Sequence, residues 1–450
     1  MPAIDRDRLQ SLMETEKHKF VQARPKSRAL FERARKSLLG GVPMNWMAKW
    51  AGAFPPFVSE AHGAEFVDVD GHRYIDFCLG DTGAMTGHSP AATVAAAQQQ
   101  LTRGITLMLP TEDAVRVGEE LQRRFRLPYW QFALSATDAN RFSIRLARQI
   151  TGRPKILVFN WCYHGTVDET FITLQNGDLI PRHGNIGPPV DPAITTKVVE
   201  FNDAEAFENA LQAGDVACVL AEPALTNIGI VHPDPGFHEK MRALTRKYKT
   251  LLIIDETHTI CAGPGGYSAK NNLEPDFLVF GKPIGGGIPG AAYGFTQSVA
   301  DAIVARQNLE DCDVGGIGGT LAGNALSLAS MRATLANVLT QQAFDKMIPL
   351  AERWAAGVEQ AIAEFNVPWH VSRLGCRAEY LFSRDRPRNG TEAHDAMDFD
   401  LERFMHLHAM NRGILLTPFH NMALMSPATT QAHVDRHTTV FSEALNALAG

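Results

Sequence analysis

The stretch "LLIIDETHTICAGPGG", residues 251–266, carries a wholly apolar run into two adjacent carboxylates, Asp255 and Glu256, and "FLVFGKPIGGGIPG", residues 277–290, ends its apolar run in Lys282 and a set of glycines. Short runs without polar alternation, bounded by turn residues, read as strands buried on both faces, the mark of a parallel sheet covered by helices. Ligands of such sheets lie beyond the carboxyl ends of the strands, which makes Asp255 and Lys282 site candidates.

Working outward, further apolar runs follow the same rule: "KILVF" (155–159), "KVVEF" (197–201) and "ACVLAEP" (217–223), separated by helix-like segments. Alternation of this kind predicts an α/β fold with a mostly parallel sheet. "FALSATDANRFSIRLARQITGR" (132–153) passes from a strand through Ser135, Ala136 and Thr137 into a helix with apolar positions at Ala139, Phe142, Leu146 and Ile150. The first turn of such a helix presents free N–H groups to a phosphate, although the same residues also suit ordinary capping. "KILVFNWCYHGT" (155–166) places Tyr163, His164 and Gly165 at another strand end, where an aromatic ring can stack on a planar ligand or simply pack. A lysine amine and a buried carboxylate suit an aldehyde cofactor such as pyridoxal phosphate, the amine forming a Schiff base and the carboxylate keeping a pyridine nitrogen protonated. On position alone, an ion pair at the sheet edge fits equally well.

The 450 residues, 45% of them hydrophobic, suffice for one large and one smaller domain. The net charge is −6 and the 43 Lys and Arg are scattered without interleaved aromatics, which excludes the pattern of a nucleic-acid binder. "MPAIDRDRLQSLMETEKHKF" lacks the apolar core of a signal peptide, and no stretch has the length of a membrane span, so a cytoplasmic address is expected. Cys78, Cys162, Cys218, Cys261, Cys312 and Cys376 show no paired spacing and read as reduced, often buried residues. His406 and His408 lie two apart on a helix and point to different faces, so no metal site is expected. "SRALFERARKSLLGG" (27–41) predicts a helix stopped at Gly40, and "AEFVDVDGHRYIDF" (64–77) a hairpin turning at Asp70-Gly71. Long helices dominate from about 325. The expected division is an N-terminal segment 1–60 contributing to the small domain, a large domain 61–324 and a C-terminal α+β domain 325–450.

In order along the chain, "YIDFCLGDTGAMTGHSP", "LSATDA", "CYHGT", "AEPALTNIGIV", "IIDETHT", "FGKPIGGGIPGAAYG", "GGTLAGNALSLAS" and "NRGILLTP" resemble the class III pyridoxal-phosphate-dependent aminotransferases of fold type I, within them the glutamate-1-semialdehyde aminomutase-like branch. The resemblance runs from about residue 25 to the C-terminus. It implies a large domain built on a mostly parallel, seven-stranded type of sheet plus a smaller α+β domain, with pyridoxal 5'-phosphate as cofactor. Lys282 would be the Schiff-base lysine and Asp255 the partner of the pyridine nitrogen. Ser135, Ala136 and Thr137 would hold the phosphate, and Thr320 would reach the phosphate of a neighbouring subunit, so a homodimer is implied. Tyr163, followed by His164, would stack on the ring; Asn227 would approach the phenolic oxygen, and Thr257 would pack beneath the ring.

The expected function is amino-group transfer between an amine or amino acid and a keto acid, with the freed Lys282 amine taking the proton from the substrate carbon. The alternative is an aminomutase or racemase acting on a single amino-acid substrate, with "QNGDLIPRHGNIGPP" (175–189) as a lid loop. A non-catalytic role conflicts with the presence of both Lys282 and Asp255. Relatives often carry a valine where this chain has Thr257, and an arginine near the N-terminus where "GGVPMNWMAKWAGAFPP" offers Trp46, Met47 and Trp50. These departures point toward an apolar pocket for a bulkier amine, unless the cluster is core packing. Arg377 in "LGCRAEYLF" is the candidate clamp for a substrate carboxylate, though a surface pair with Glu379, two positions on, is the favoured reading.

Overall fold

The computed structural model describes residues 4–185, 191–306 and 316–449. Contacts divide the chain into two compact units. The smaller comprises residues 1–90, 342–386 and 396–450. In it, β1 (Val58–His62), β2 (Glu65–Asp68) and β3 (Arg73–Asp76) form an antiparallel meander, and strand Ile414–Leu415 adds to β3 in parallel. The expected turn at Asp70-Gly71 is present, with Gly71 at φ +92°. Strands His370–Leu374, Arg377–Leu381 and Met422–Leu424 make a second antiparallel sheet. The predicted helix after residue 27 runs Pro25–Ala34, shorter than expected, and a longer helix, Arg6–Ala23, precedes it. Phe20, Phe54, Phe66, Tyr74, Leu407 and Met410 are among the residues that form this unit's aromatic core.

The larger unit comprises residues 91–341 and 387–395. Its sheet is built from β4 (Tyr129–Ala133), β5 (Lys155–Phe159), β8 (Thr196–Val199), β9 (Val216–Ala221), β10 (Leu251–Asp255), β11 (Phe277–Phe280) and β12 (Ala291–Phe295), in the spatial order β4-β12-β11-β10-β9-β5-β8. Between β5 and β8 lies a separate hairpin, β6 (Ile172–Gln175) and β7 (Asp178–Pro181). Every pairing in the sheet is parallel except the two made by β12. The strands β9, β11 and β12 are buried along their whole length, as their unalternated apolar sequences require. Helix Ala136–Thr151 covers one face, and helices Ala204–Leu211 and Phe237–Lys247 contribute to the core on the other. This is the α/β architecture with a mostly parallel seven-stranded sheet that the sequence predicts.

Both expected domain boundaries move. Residues 61–90 belong to the smaller unit because β2 and β3 hydrogen-bond to β1 and to Ile414–Leu415. Residues 325–341 belong to the larger one because helix Ala325–Asn337 packs on helices Ala91–Leu101 and Glu112–Phe125. Nine residues of that helix are buried, which leaves it too little polar surface to stand apart as the first element of another domain. The stretch 175–189 is not simply a loop: it contains the β6–β7 turn, with Asn176 at φ +53° and Gly177 at +87°, the two positive angles a type I′ hairpin needs. Positions 186–189 of the expected lid lie outside the described residues, as does Cys312. The other five cysteines are buried and form no disulfide among the described residues.

Candidate active site at the ends of β5, β10 and β11

Asp255 ends β10 and is 4% exposed. Its Oδ2 accepts from His164 Nδ1 at 2.9 Å and from Asn140 Nδ2 at 2.8 Å, and its Oδ1 accepts from the backbone N–H of Thr257 at 3.0 Å. His164 follows β5, and Asn140 projects from the helix that follows β4, so three strand ends converge on one carboxylate. Burial alone would push the Asp255 carboxyl up; the bond and charge of His164 outweigh it and hold the group down at about 2. Burial likewise opposes a charge on His164, but the Cys162 sulfur and Asp255 raise it to about 10, so the pair is imidazolium and carboxylate. The cation of Asp255 is therefore His164, not Lys282.

Lys282 opens the turn after β11 with φ +48°, a left-handed conformation unusual for a side chain of this size. Its Nζ lies 2.8 Å from His258 Nε2. Adjacent parallel strands put the two candidate segments side by side, with Asp255 in register with Val279. His258 is a site residue that the sequence reading did not single out; its signal was a histidine three positions after the strand-ending aspartate. Asn140 was missed too, although it lies on the buried side of its helix with Ala139 and Ser143.

The phosphate candidates form a tight corner. Ser135 caps the helix, accepting from Asp138 N at 3.2 Å, and its hydroxyl donates to the Asp138 carboxylate at 2.9 Å. Thr137 Oγ1 accepts from the N–H of Thr166 at 3.1 Å. A Cβ at Gly165 would sit 2.0 Å from that oxygen, and one at Gly281 would sit 3.1 Å from Ala136 N, so glycine at both places lets the strand ends close on the helix start. Tyr163 is 37% exposed at the end of β5, its ring edge-on to Phe171. Asn227 is half-buried, its Nδ2 3.5 Å from the Trp161 carbonyl. Thr320 is exposed, on an exposed segment.

The remaining candidates lie in the smaller unit. Trp46 stands edge-on to Phe419 at 6.4 Å, in the helical turn Asn45–Ala48 that also holds half-buried Met47. Trp50 packs on the Phe20–Phe54 core, so for it the packing reading holds. Arg377 corrects the expectation of a surface pair: it is fully buried on its strand, with Nη2 3.3 Å from Glu379 Oε2, and His420 Nδ1 is 3.5 Å from Glu379 Oε1. His406 and His408 are both buried and take different neighbours, Asn421 and Glu16.

The residues fit pyridoxal phosphate. Asp255 accepts three hydrogen bonds, which leaves an ionised carboxylate room for one more donor such as a protonated ring nitrogen. Buried around it, Asn140 Oδ1, His164 Nε2 and Thr257 Oγ1 have no protein partner among the described residues, a concentration of unmatched polar atoms that suits a polar ligand.

A family model for class-III aminotransferases matches residues 46–445. The glutamate-1-semialdehyde 2,1-aminomutase of Desulfosudis oleivorans is 34% identical over 423 residues, 91% of this chain and 96% of that protein. A crystal structure described as a glutamate-1-semialdehyde-aminomutase from Pseudomonas aeruginosa PAO1 is 49% identical, with a TM-score of 0.97 and 99% of each chain covered; a form of it with one lysine replaced by alanine is described in complex with PMP. An omega-transaminase from Sphaerobacter thermophilus follows at 28% identity and a TM-score of 0.86, over 96% of this chain and 100% of that one. The chain belongs to the class-III aminotransferase family, of the pyridoxal-phosphate-dependent fold type I.

Proposed function

We propose that this protein is an aminomutase that moves an amino group within a single amino-carbonyl substrate, the alternative rather than the leading expectation from sequence. The observation that supports it is the likeness, at 49% identity across 99% of the chain, to a protein described as a glutamate-1-semialdehyde-aminomutase, with the relatives at 32–34% bearing the same name. When bound, pyridoxal phosphate supplies an aldehyde that condenses with amines and a protonated ring that accepts electrons. In this reading Asp255 holds the positive charge of the ring nitrogen, and His164 and Asn140 fix the carboxylate in place. The Lys282 amine takes and returns the proton at the substrate carbon. Ser135, Ala136 and Thr137 bind the phosphate, Tyr163 covers the ring, Asn227 faces the phenolic oxygen and Thr257 packs beneath.

The proposal includes a homodimer. Exposed Ile105, Leu107, Met108 and Leu109 lie on one segment, and the carbonyl of Ile105 accepts from Ala325 N at 2.9 Å, four residues from exposed Leu321. This apolar surface next to Thr320 suits a second copy of the chain. A cytoplasmic location completes the reading; none of the described helices is long and apolar enough to cross a membrane.

The test is whether one substrate suffices. Purified holoenzyme given glutamate-1-semialdehyde, with no keto acid present, should form the isomeric amino acid, and borohydride should fix the cofactor on Lys282. Product that appears only when a keto acid is added would return the enzyme to transamination. Lys282→Ala should bind cofactor yet lose turnover by at least about 100-fold, the usual scale for a proton-transferring group.

A further inference from the structure

The contact between Lys282 Nζ and His258 Nε2, 2.8 Å apart, joins two nitrogens that can share one proton. One lone pair must face one N–H, so the two groups cannot be independent in protonation. His258 is also held in place. Its neighbours Thr257 and Thr259 are buried, and the preceding Glu256 carboxylate is fully buried, accepting from Thr259 Oγ1 at 2.5 Å, from Tyr267 N at 3.0 Å and from Ser268 N. The backbone of Glu256 is clamped as well, donating to the Val279 carbonyl at 2.7 Å and accepting from Ile260 N at 2.8 Å. The backbone that carries His258 is thus fixed beside the turn that bears Lys282, which places the imidazole within reach of the amine.

From this geometry we infer that His258 is the proton partner of Lys282, its Nε2 accepting the proton that leaves Nζ and handing it back. The inference rests on the reading of Lys282 as the cofactor lysine. In the transfer an N–H bond on Nζ breaks and one on Nε2 forms; a lysine ammonium and neutral imidazole become a lysine amine and an imidazolium, with the net charge unchanged. Lysine must be neutral to attack an aldehyde or to take a proton from carbon, and imidazole, which ordinarily titrates near 6.5, is the side chain suited to receive that proton near neutrality. The titratable groups on the described elements packed here are Asp255 and Glu256 at the same strand end, Tyr267 and Lys270 of the helix Gly266–Lys270, and, on the elements packed against the Lys282 turn, Arg332 of helix Ala325–Asn337 and Tyr293 of β12. Asp255 is engaged by His164, and Glu256 by the three donors above, so both carboxylates are already matched by donors of their own.

The experiment uses apoprotein mixed with pyridoxal phosphate in a stopped-flow instrument, following cofactor attachment by absorbance, with borohydride trapping and peptide mass spectrometry to locate it. Wild-type attachment should slow as pH falls through the imidazole range near 6.5. His258→Gln, which keeps a polar contact but cannot carry a proton there, should lose that inflection and attach about 100-fold more slowly. His258→Ala should regain at least tenfold of its rate with added imidazole. A pH profile in His258→Gln that matches wild type would overturn the inference; so would an alanine variant indifferent to imidazole. If the alanine variant does not accumulate, the profile of the glutamine variant decides alone. Attachment at a lysine other than 282 would instead refute the site reading on which the inference stands.

Discussion

Replacing Asp255 by alanine should destabilise the apoprotein as well as weaken its hold on cofactor, and the structure sets the scale. His164 is 1% exposed and its counterion would be gone. Removing one member of a buried ion pair costs about 3–5 kcal/mol, less if His164 sheds its proton. The Thr257 N–H would lose its acceptor, a further cost of about 1–3 kcal/mol. Asn140 fares better, because its Nδ2 also lies 3.3 Å from the His164 carbonyl. Together these come to about 4–8 kcal/mol, and at roughly 2–4 °C per kcal/mol the midpoint of thermal unfolding should fall by at least about 8 °C near pH 6. The pH dependence follows from the two displaced groups. The folded value of Asp255 is depressed, so its contribution is present above about pH 4 and is lost as pH falls toward about 2. That of His164 is raised, so its contribution is full below its ordinary value near 6.5 and disappears as pH rises through about 10. The gap between wild type and Asp255→Ala should therefore be widest near pH 4–6.5 and shrink toward pH 10.5, as read by calorimetry of both apoproteins, with Asp255→Asn as the variant that keeps shape and drops charge. A gap below about 1 kcal/mol at pH 6, or one that does not change up to pH 10.5, would refute the ion-pair reading.

Gly165→Ala should lower cofactor affinity and stability together, by about 1–3 kcal/mol from the backbone alone, since its φ is +75°; fluorescence titration with cofactor checks the first, and adding Thr137→Ala, which removes the blocking oxygen, should recover part of the stability but none of the affinity, because Thr137 belongs to the phosphate corner. Arg377→Ala should destabilise the protein by about 3–5 kcal/mol by stranding Glu379, visible in urea unfolding, instead of selectively raising KM for a keto acid. Thr320→Val should weaken cofactor retention, and dilution to monomer should release cofactor, both measurable by ultracentrifugation with absorbance at the cofactor band; a monomer that keeps its full complement would exclude the shared site.

The strand ends were legible because they need no pattern beyond an abrupt stop: "FLVF" is buried throughout and "LLII" after its half-buried first leucine, so the first polar residue after each meets whatever lies at the sheet edge. The start of helix Ala136–Thr151 was readable for a similar reason, since a capping serine after an apolar strand has few other meanings. Pairing was not. β9 lies between β5 and β10, and nothing local to "CYHGT" says that its histidine reaches past that strand's end to Asp255. Nor could "DETHT" show that the chain turns so that His258, not Asp255, meets the lysine. Arg377 and Glu379 look like an exposed edge because alternation shows a shared face but not which side that face takes, and here it is the interior. The hairpin at Asn176-Gly177 was a signal present and passed over, its flanking strands being only four residues each.

The left-handed backbone at Lys282 has an evolutionary consequence. A non-glycine residue at φ +48° costs about 1–2 kcal/mol that glycine would not incur. Purely thermodynamic selection thus disfavours lysine at the position where the chemistry needs it. A library of the apoprotein evolved for heat resistance alone, with no cofactor to reward its attachment, would enrich glycine at 282 and yield sturdy, inert descendants. Among relatives that have lost activity, this codon is where drift should first become visible, because there function alone opposes a change that stability rewards.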